Sequence, residues 1–492
     1  MAKLVKVMLL STSSYVSLNS VPFMLSSLQE GKKKKQQRKE KKMSRRVVAV
    51  GMECITPLGN SVRESWQNLI SSAQVLTPID SLPNYHTEYE PYLKSLPLNL
   101  RVGKVKPPSL ELLEDSKLLL SRQDERRMTT SIRDTLLTTY RALKDAQLLG
   151  FNSDNTQSAY TIRTDLMDPH RIATCIGTGL PAVQELFDAS VSFKENQKRP
   201  QPTFINKILP NMIAGSVSIK FGILGPSQTV STACATGNSV IIDGFNMIKN
   251  GTADIAVVGA TESPLHPLTI AGFHRLKSLS PPSISRPFDE ERNGFVISEG
   301  TGVIILEELE HALRRAKGDH GPRILGEVVG IGMSSDAYHI TSPNPNGDGA
   351  YRAMKMALRN ASLSINDIDF VNAHATSTPI GDAAEFNAIE RLLRESESKQ
   401  TRGLPLFISS NKGAMGHLLG ASGIVESIFT LRSLSENIVP HTLNLRDATK
   451  FNNSDVIELV RDTPLELEKA TYAMSNSFGF GGVNTSIVFR KW

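Results

Sequence analysis

Short apolar runs of strand length, each followed by a stretch with helical spacing, recur from Met43 to the end of the chain. That alternation restricts the fold more than any other feature. Residues 46–51 (RVVAVG) form a β-branched run closed by glycine, as a buried strand would. Similar runs occupy 171–176, 253–258, 302–306, 368–371 and 406–408, while helical spacing is clear at 131–149 and 421–434. Strands apolar on both faces need helices on both sides, so the pattern predicts an α/β fold with buried, largely parallel strands. Segments 231–251 and 410–433 share an outline of strand end, tight turn of small residues and helix, which a duplicated core would explain.

Charge and cysteine usage narrow the classes of function. The sequence pI is about 9.0, yet residues 1–42 hold ten Lys or Arg against two Glu, a net of +8 in a chain of +6. The body is therefore about −2 and needs no polyanionic partner; a nucleic-acid reading rests on the tail alone. That tail has no acidic residue in its first 29 positions and seven Ser, then the run KKKKQQRKEKK at 32–42. It reads as a disordered basic extension or an organellar transit peptide. Three Cys make no disulfide framework, and Cys54 and Cys175 lie in strand-like runs as buried thiols. No apolar run approaches the roughly 18–20 residues that span a bilayer.

Four loops could carry chemistry. Thr232-Ala233-Cys234-Ala235-Thr236-Gly237 puts a thiol between a strand and an apolar helix. A helix N-terminus favours thiolate, so a catalytic Cys234 should have a lowered pKa; the same spacing also suits a Cys packed in the core. Residues 372–379 (NAHATSTP) gather His374, Thr376, Ser377 and Thr378 before a helix-starting Pro. Residues 411–417 (NKGAMGH) place Lys412 and His417 after another strand. Ligands in open α/β folds collect at such strand ends. Residues 476–484 (NSFGFGGVN) hold Phe478 and Phe480 in a glycine-dense loop that a ligand can approach closely.

In this order the four loops resemble the Cys–His–His condensing enzymes, the elongating β-ketoacyl-[acyl carrier protein] synthases. Further motifs extend the resemblance over residues 44–492: 177–179 (GTG), 259–262 (GATE), 286–289 (RPFD), 334–339 (SSDAYH), 381–385 (GDAAE) and 416–421 (GHLLGA). The resemblance implies a thiolase-like fold with a duplicated five-layered α-β-α-β-α architecture, its halves at 43–302 and 303–492 after a tail at 1–42. It implies a decarboxylating Claisen condensation of an acyl group held on Cys234 with malonyl-[acyl carrier protein].

Residue by residue, Cys234 matches the nucleophile, and His374 and His417 the pair that stabilises the enolate. Lys412 matches the lysine that orders the site and Glu426 its acidic partner. Phe480 matches an oxyanion-hole residue and gate, and Phe478 a substrate-binding position beside it. Thr376 and Thr378 match residues that bond the phosphopantetheine arm. Leu180, and Phe204 from a neighbouring subunit, match acyl-tunnel positions, which implies a homodimer. Arg126 and Arg127 stand where the family docks its acidic carrier; a solvated helix start is the other reading. Ser239, Asn411, Asn206 and Pro181 depart from the family pattern, the last two beside the tunnel. No metal and no cofactor are implied, since acyl groups arrive on the carrier. The HAT and GDAAE forms are most similar to mitochondrial members; a cytoplasmic location is the alternative.

Three rivals remain to be weighed against this. A silent scaffold would have lost Cys234. A degradative thiolase needs a second Cys in the C-terminal half, and no Cys follows Cys234. A condensing domain cut from a polyketide synthase is harder to set aside, although no acyltransferase or carrier segment accompanies it.

Overall fold

A computed structural model describes residues 45–96, 99–151, 160–317, 321–397, 403–451 and 456–492, to which all statements below apply. The tail 1–42 lies outside them. Eleven strands form the main sheet: β1 (Val47–Ile55), β2 (Ile172–Gly177), β3 (Ser227–Gln228), β4 (Ile255–Glu262), β5 (Gly300–Glu308), β6 (Gly326–Ser335), β7 (Phe370–Asn372), β8 (Leu406–Ser409), β9 (Ile457–Leu459), β10 (Tyr472–Gly479) and β11 (Val483–Arg490). Their order is β9-β8-β7-β10-β11-β6-β1-β5-β4-β2-β3.

The centre of the sheet is the β1–β6 pair, in register only from Val47↔Val328 to Ala49↔Gly326. Outward from it the two sides match. On one side β5 and then β4 pair antiparallel, followed by β2 and β3 in parallel. On the other β11 and then β10 pair antiparallel, followed by β7 and β8 in parallel, with β9 added at the edge. The expectation of largely parallel strands therefore holds only on the flanks. β10 turns straight back into β11 through a tight hairpin, which forces antiparallel pairing, whereas parallel neighbours need a crossover.

The helices complete the duplication: α1 (Thr130–Asp145), α2 (Val183–Asn196), α3 (Asn211–Phe221), α4 (Thr236–Lys249), α5 (Asp348–Ala361), α6 (Pro379–Glu397) and α7 (Ser422–Glu436). α1 and α3 cover the outer face of the first half, α5 and α6 that of the second, and α4 packs on α7 between them. This is the five-layered arrangement. α4 and α7 are the helices of the two segments of similar outline, and they touch through backbone: a Cβ on Gly237 would lie 2.2 Å from the Ile424 nitrogen. The core between the halves is built by Val47, Ile241, Ile424, Val425 and Phe429, all completely or almost completely buried. Burying each such side chain contributes on the order of 1.5–3 kcal/mol. Cys54 and Cys175 are buried strand residues, as expected. Gly302 and Val303 lie within β5, which pairs with β1 and β4. Among the described residues no helix is long and apolar enough to cross a membrane.

Candidate active site

Cys234 sits in the turn between β3 and α4. Ala233 before it is held at φ 49°, a left-handed conformation costly for a residue with a Cβ. The turn is tied down locally: Thr232 donates its N–H to Thr236 Oγ1 (2.8 Å), and Thr232 Oγ1 lies 2.8 Å from Ser239 Oγ. Ser239 thus has a structural task. A Cβ on Gly479 would lie 2.4 Å from the Thr232 oxygen and 3.3 Å from the Cys234 nitrogen. Only glycine lets the β10–β11 hairpin approach so closely, and this brings Phe480 beside Cys234.

The second half supplies the imidazoles. His374 follows β7, in a loop where Ser377 has φ 66° and Pro379 starts α6. Glu385, within α6, accepts from the N–H groups of His374 (3.0 Å) and Ala375 (2.8 Å) and from Asn476 Nδ2 (2.9 Å). Lys412 begins a single helical turn after β8, and His417 follows that turn. Lys412 and Glu426 are both fully enclosed and hydrogen-bonded to each other.

These loops converge. His417 Nε2 lies 3.0 Å from Cys234 Sγ, and the His374 and His417 rings stand edge to face with centroids 5.6 Å apart. Cys234, His374, His417, Thr376, Thr378, Phe478 and Phe480 line one cavity of about 330 Å³. Thr376 Oγ1 and Thr378 Oγ1 are 3.1 Å apart on its wall. Burial and the Lys412 charge hold both imidazoles well below the usual histidine range, so both are neutral at pH 7.

The tautomer of His417 follows from its neighbour. Ser422 Oγ is fully buried, accepts the Leu418 N–H at 2.9 Å and lies 2.8 Å from His417 Nδ1. A buried hydroxyl proton needs an acceptor, and Nδ1 is the one within reach. Nε2 then carries the ring hydrogen and points it at the sulfur. Sequence reading missed Ser422; its place five residues after His417, in the GHLLGAS run, was the available signal.

The expected lowering of the Cys234 pKa is not met. Burial pushes the thiol up to about 12, against the pull of the Lys412 charge, with Glu262 and Glu426 adding to the rise. Desolvating a thiolate costs more here than one helix terminus and one ammonium return.

Four expected positions lie apart from this cavity. Leu180 packs in a separate apolar cluster. Phe204 lines a different surface cleft with Glu185 and Asp188. Arg126 and Arg127 are exposed on the short helix Arg122–Arg127, whose Ser121 capping box explains why it starts there. Conversely, Asp336 and Asn484 line the cavity without having been assigned a role; Asp336 accepts from Asn484 Nδ2 (2.8 Å) and from the Asn344 N–H (3.1 Å).

Comparison with known proteins fits this geometry. Two family models match, "Beta-ketoacyl synthase, N-terminal domain" over residues 44–312 and "Beta-ketoacyl synthase, C-terminal domain" over 325–446. The chain is 50% identical over 454 residues to a 3-oxoacyl-[acyl-carrier-protein] synthase homolog of Saccharomyces cerevisiae, covering 92% of this chain and 99% of that one. It is 41% identical to the mitochondrial 3-oxoacyl-[acyl-carrier-protein] synthase of Arabidopsis thaliana, covering 91% and 93%. Among solved structures, a beta-ketoacyl synthase from Burkholderia phymatum superposes with a TM-score of 0.74 at 29% identity, covering 91% and 100%. A type II polyketide ketosynthase solved with its acyl-carrier protein does so at 0.75 and 25% identity, covering 92% and 100%. With its fold duplicated and its cysteine and two histidines meeting in one cavity, the chain belongs to the beta-ketoacyl synthase family.

Proposed function

We propose that this protein condenses an acyl group carried on Cys234 with malonyl-[acyl carrier protein], releasing carbon dioxide and 3-oxoacyl-[acyl carrier protein] in fatty acid synthesis. The observation that carries the reading is the 3.0 Å approach of His417 Nε2 to Cys234 Sγ, with the His374 ring alongside.

In the first step the Cys234 sulfur attacks the acyl thioester. A new carbon–sulfur bond forms, the carrier's carbon–sulfur bond breaks, and the Cys234 proton leaves on the carrier thiol. Because one thiol replaces another, the exchange consumes no proton overall, but the sulfur must shed its proton to attack as thiolate. In the second step malonyl-carrier loses its carboxylate as carbon dioxide, and the freed electron pair forms an enolate. The N–H groups of His374 and His417 face the enolate oxygen, where charge develops. The enolate carbon attacks the Cys234 thioester, the backbone N–H groups of Cys234 and Phe480 hold the tetrahedral oxyanion, and the thiolate leaves. It takes up a proton from solvent, so each turn consumes one proton. The Lys412 charge favours that departing thiolate. Splitting the condensation this way makes each barrier smaller.

Thr376 and Thr378 hold the phosphopantetheine arm, and Phe480 gates the acyl side. The acyl carrier protein is the partner, as the ketosynthase–carrier neighbour supports, and the reaction needs neither metal nor cofactor. The enzyme is a homodimer in this reading. Helix α2 has no buried residue, and Leu186, Phe193, Ile205 and Leu209 are exposed around Phe204, an apolar face that a second copy would cover. Light scattering at the protomer mass would remove that part. A mitochondrial location rests on relatives named as mitochondrial; a fusion of residues 1–42 to a fluorescent protein that stayed cytosolic would remove it.

Intact-mass measurement tests the whole reading. Octanoyl-carrier should add one octanoyl group, absent in Cys234→Ala, and malonyl-carrier should discharge it as a product two carbons longer. Failure to acylate with short, medium and long chains alike would leave a silent scaffold.

A further inference from the structure

Glu262 ends β4 and is buried, without a cation paired to it, in the first half of the fold. Its carboxylate is held by hydrogen bonds from two separate turns. Oε1 accepts from the Leu180 N–H (2.8 Å) and the Thr178 hydroxyl (3.3 Å), and Oε2 from the Gly179 N–H (2.9 Å) and the Gly420 N–H (3.0 Å). Gly179 and Leu180 belong to the turn after β2. Gly420 belongs to the other half, three residues beyond His417, in a turn where Leu419 is held at φ 48°. The contact is tight from both sides: a Cβ on Gly420 would lie 2.6 Å from Glu262 Oε2 and 2.9 Å from the Gly179 nitrogen, and one on Gly179 2.7 Å from the same oxygen.

We propose that Glu262 is a positioning residue for the condensation, fixing through one carboxylate both the Gly179–Leu180 turn and the turn that sets His417. The inference rests on the function proposed above. Both oxygens are needed because each takes two donors, so a neutral amide cannot replace the carboxylate. Burial raises the Glu262 pKa above the usual carboxylate range, while the three main-chain N–H groups and the Thr178 hydroxyl favour the ionised form. It also places a negative charge near Cys234, where Lys412 opposes it and Glu426 adds to it.

Two variants of the full chain test this. In Glu262→Gln the amide nitrogen cannot accept from the main-chain donors it faces, so condensation should fall by about tenfold or more. With one negative charge gone, the pH midpoint for alkylation of Cys234 by iodoacetamide should move down, while Glu262→Asp should recover part of the rate. Gly420→Ala presses a methyl group between Glu262 and Gly179 without touching Cys234. It should lower condensation by about tenfold while acylation by octanoyl-carrier stays within about threefold. Unchanged condensation in both variants overturns the proposal, as does a loss of acylation equal to the loss of condensation in Gly420→Ala, or an unmoved alkylation midpoint in a folded Glu262→Gln. Failure of the wild-type enzyme to acylate would instead overturn the underlying function.

Discussion

The sulfur of Cys234 and the Nε2 of His417 lie 3.0 Å apart although 183 residues separate them in the chain. One comes from the turn after β3, the other from the turn after β8, and the matching order of the two half-sheets makes those turns counterparts. The nucleophile is contributed by one copy of a duplicated unit and the hydrogen-bond donor by the other.

Because His374 and His417 are neutral N–H donors in this site, their loss should spare acylation and damage decarboxylation. Either histidine changed to alanine should lower carbon dioxide release from malonyl-carrier by about 10²–10³-fold. The acyl-enzyme mass should still appear. An acylation defect as large as the decarboxylation defect would show that an imidazole acts as the base for Cys234 instead.

The thiol of Cys234, pushed up to about 12 by burial, should react with iodoacetamide slowly at pH 7. Only thiolate reacts, so the rate should climb by about tenfold per pH unit toward pH 10. Removing the Lys412 charge takes away a stabiliser of the thiolate and should shift the profile further upward. A plateau below pH 8 would mean that the helix terminus prevails over burial after all.

Lys412 and Glu426 form an enclosed ion pair. Taking one partner strands the other charge, so Lys412→Met should destabilise by about 3–5 kcal/mol in urea titrations. Lys412→Met combined with Glu426→Gln should cost much less than the sum of the two single changes. Additive costs would show that the pair is not coupled in the folded state.

Glu53 is pushed up to about 7 by burial, against its hydrogen bonds from the Cys54 and Val62 N–H groups. Its folded pKa lies above the unfolded value of 4.5, so the folded state holds the proton more tightly. The stabilising effect is complete below pH 4.5 and is lost as pH rises through 7. Glu53→Gln should remove that decline, a difference of about 3 kcal/mol across the window. Parallel stability-against-pH curves for the two proteins would contradict the assignment.

The sequence by itself determined the elements and the chemical groups. Apolar periodicity is a local property, and it placed β1, β2, β4 and β5 to within a few residues of the runs read at 46–51, 171–176, 253–258 and 302–306. Loops of small residues around Cys234, His374, His417 and Phe480 marked the site because close packing at strand ends leaves its trace in residue size. The similar outlines of 231–251 and 410–433 announced α4 and α7 as counterparts.

Tertiary structure decided what depends on distant partners. Strand direction at the centre of the sheet is set by which strands become neighbours, so β1, β5, β6 and β11 run antiparallel where a parallel sheet was expected. The pKa of Cys234 is set by how much of the fold covers it, a quantity no local motif records, and burial reversed the direction expected from its helix terminus. The proton on His417 is placed by Ser422, and the turns bearing Leu180 and Gly420 are joined by Glu262. Hydrogen bonding in a buried site requires each donor to find an acceptor, and only the folded chain supplies those partners.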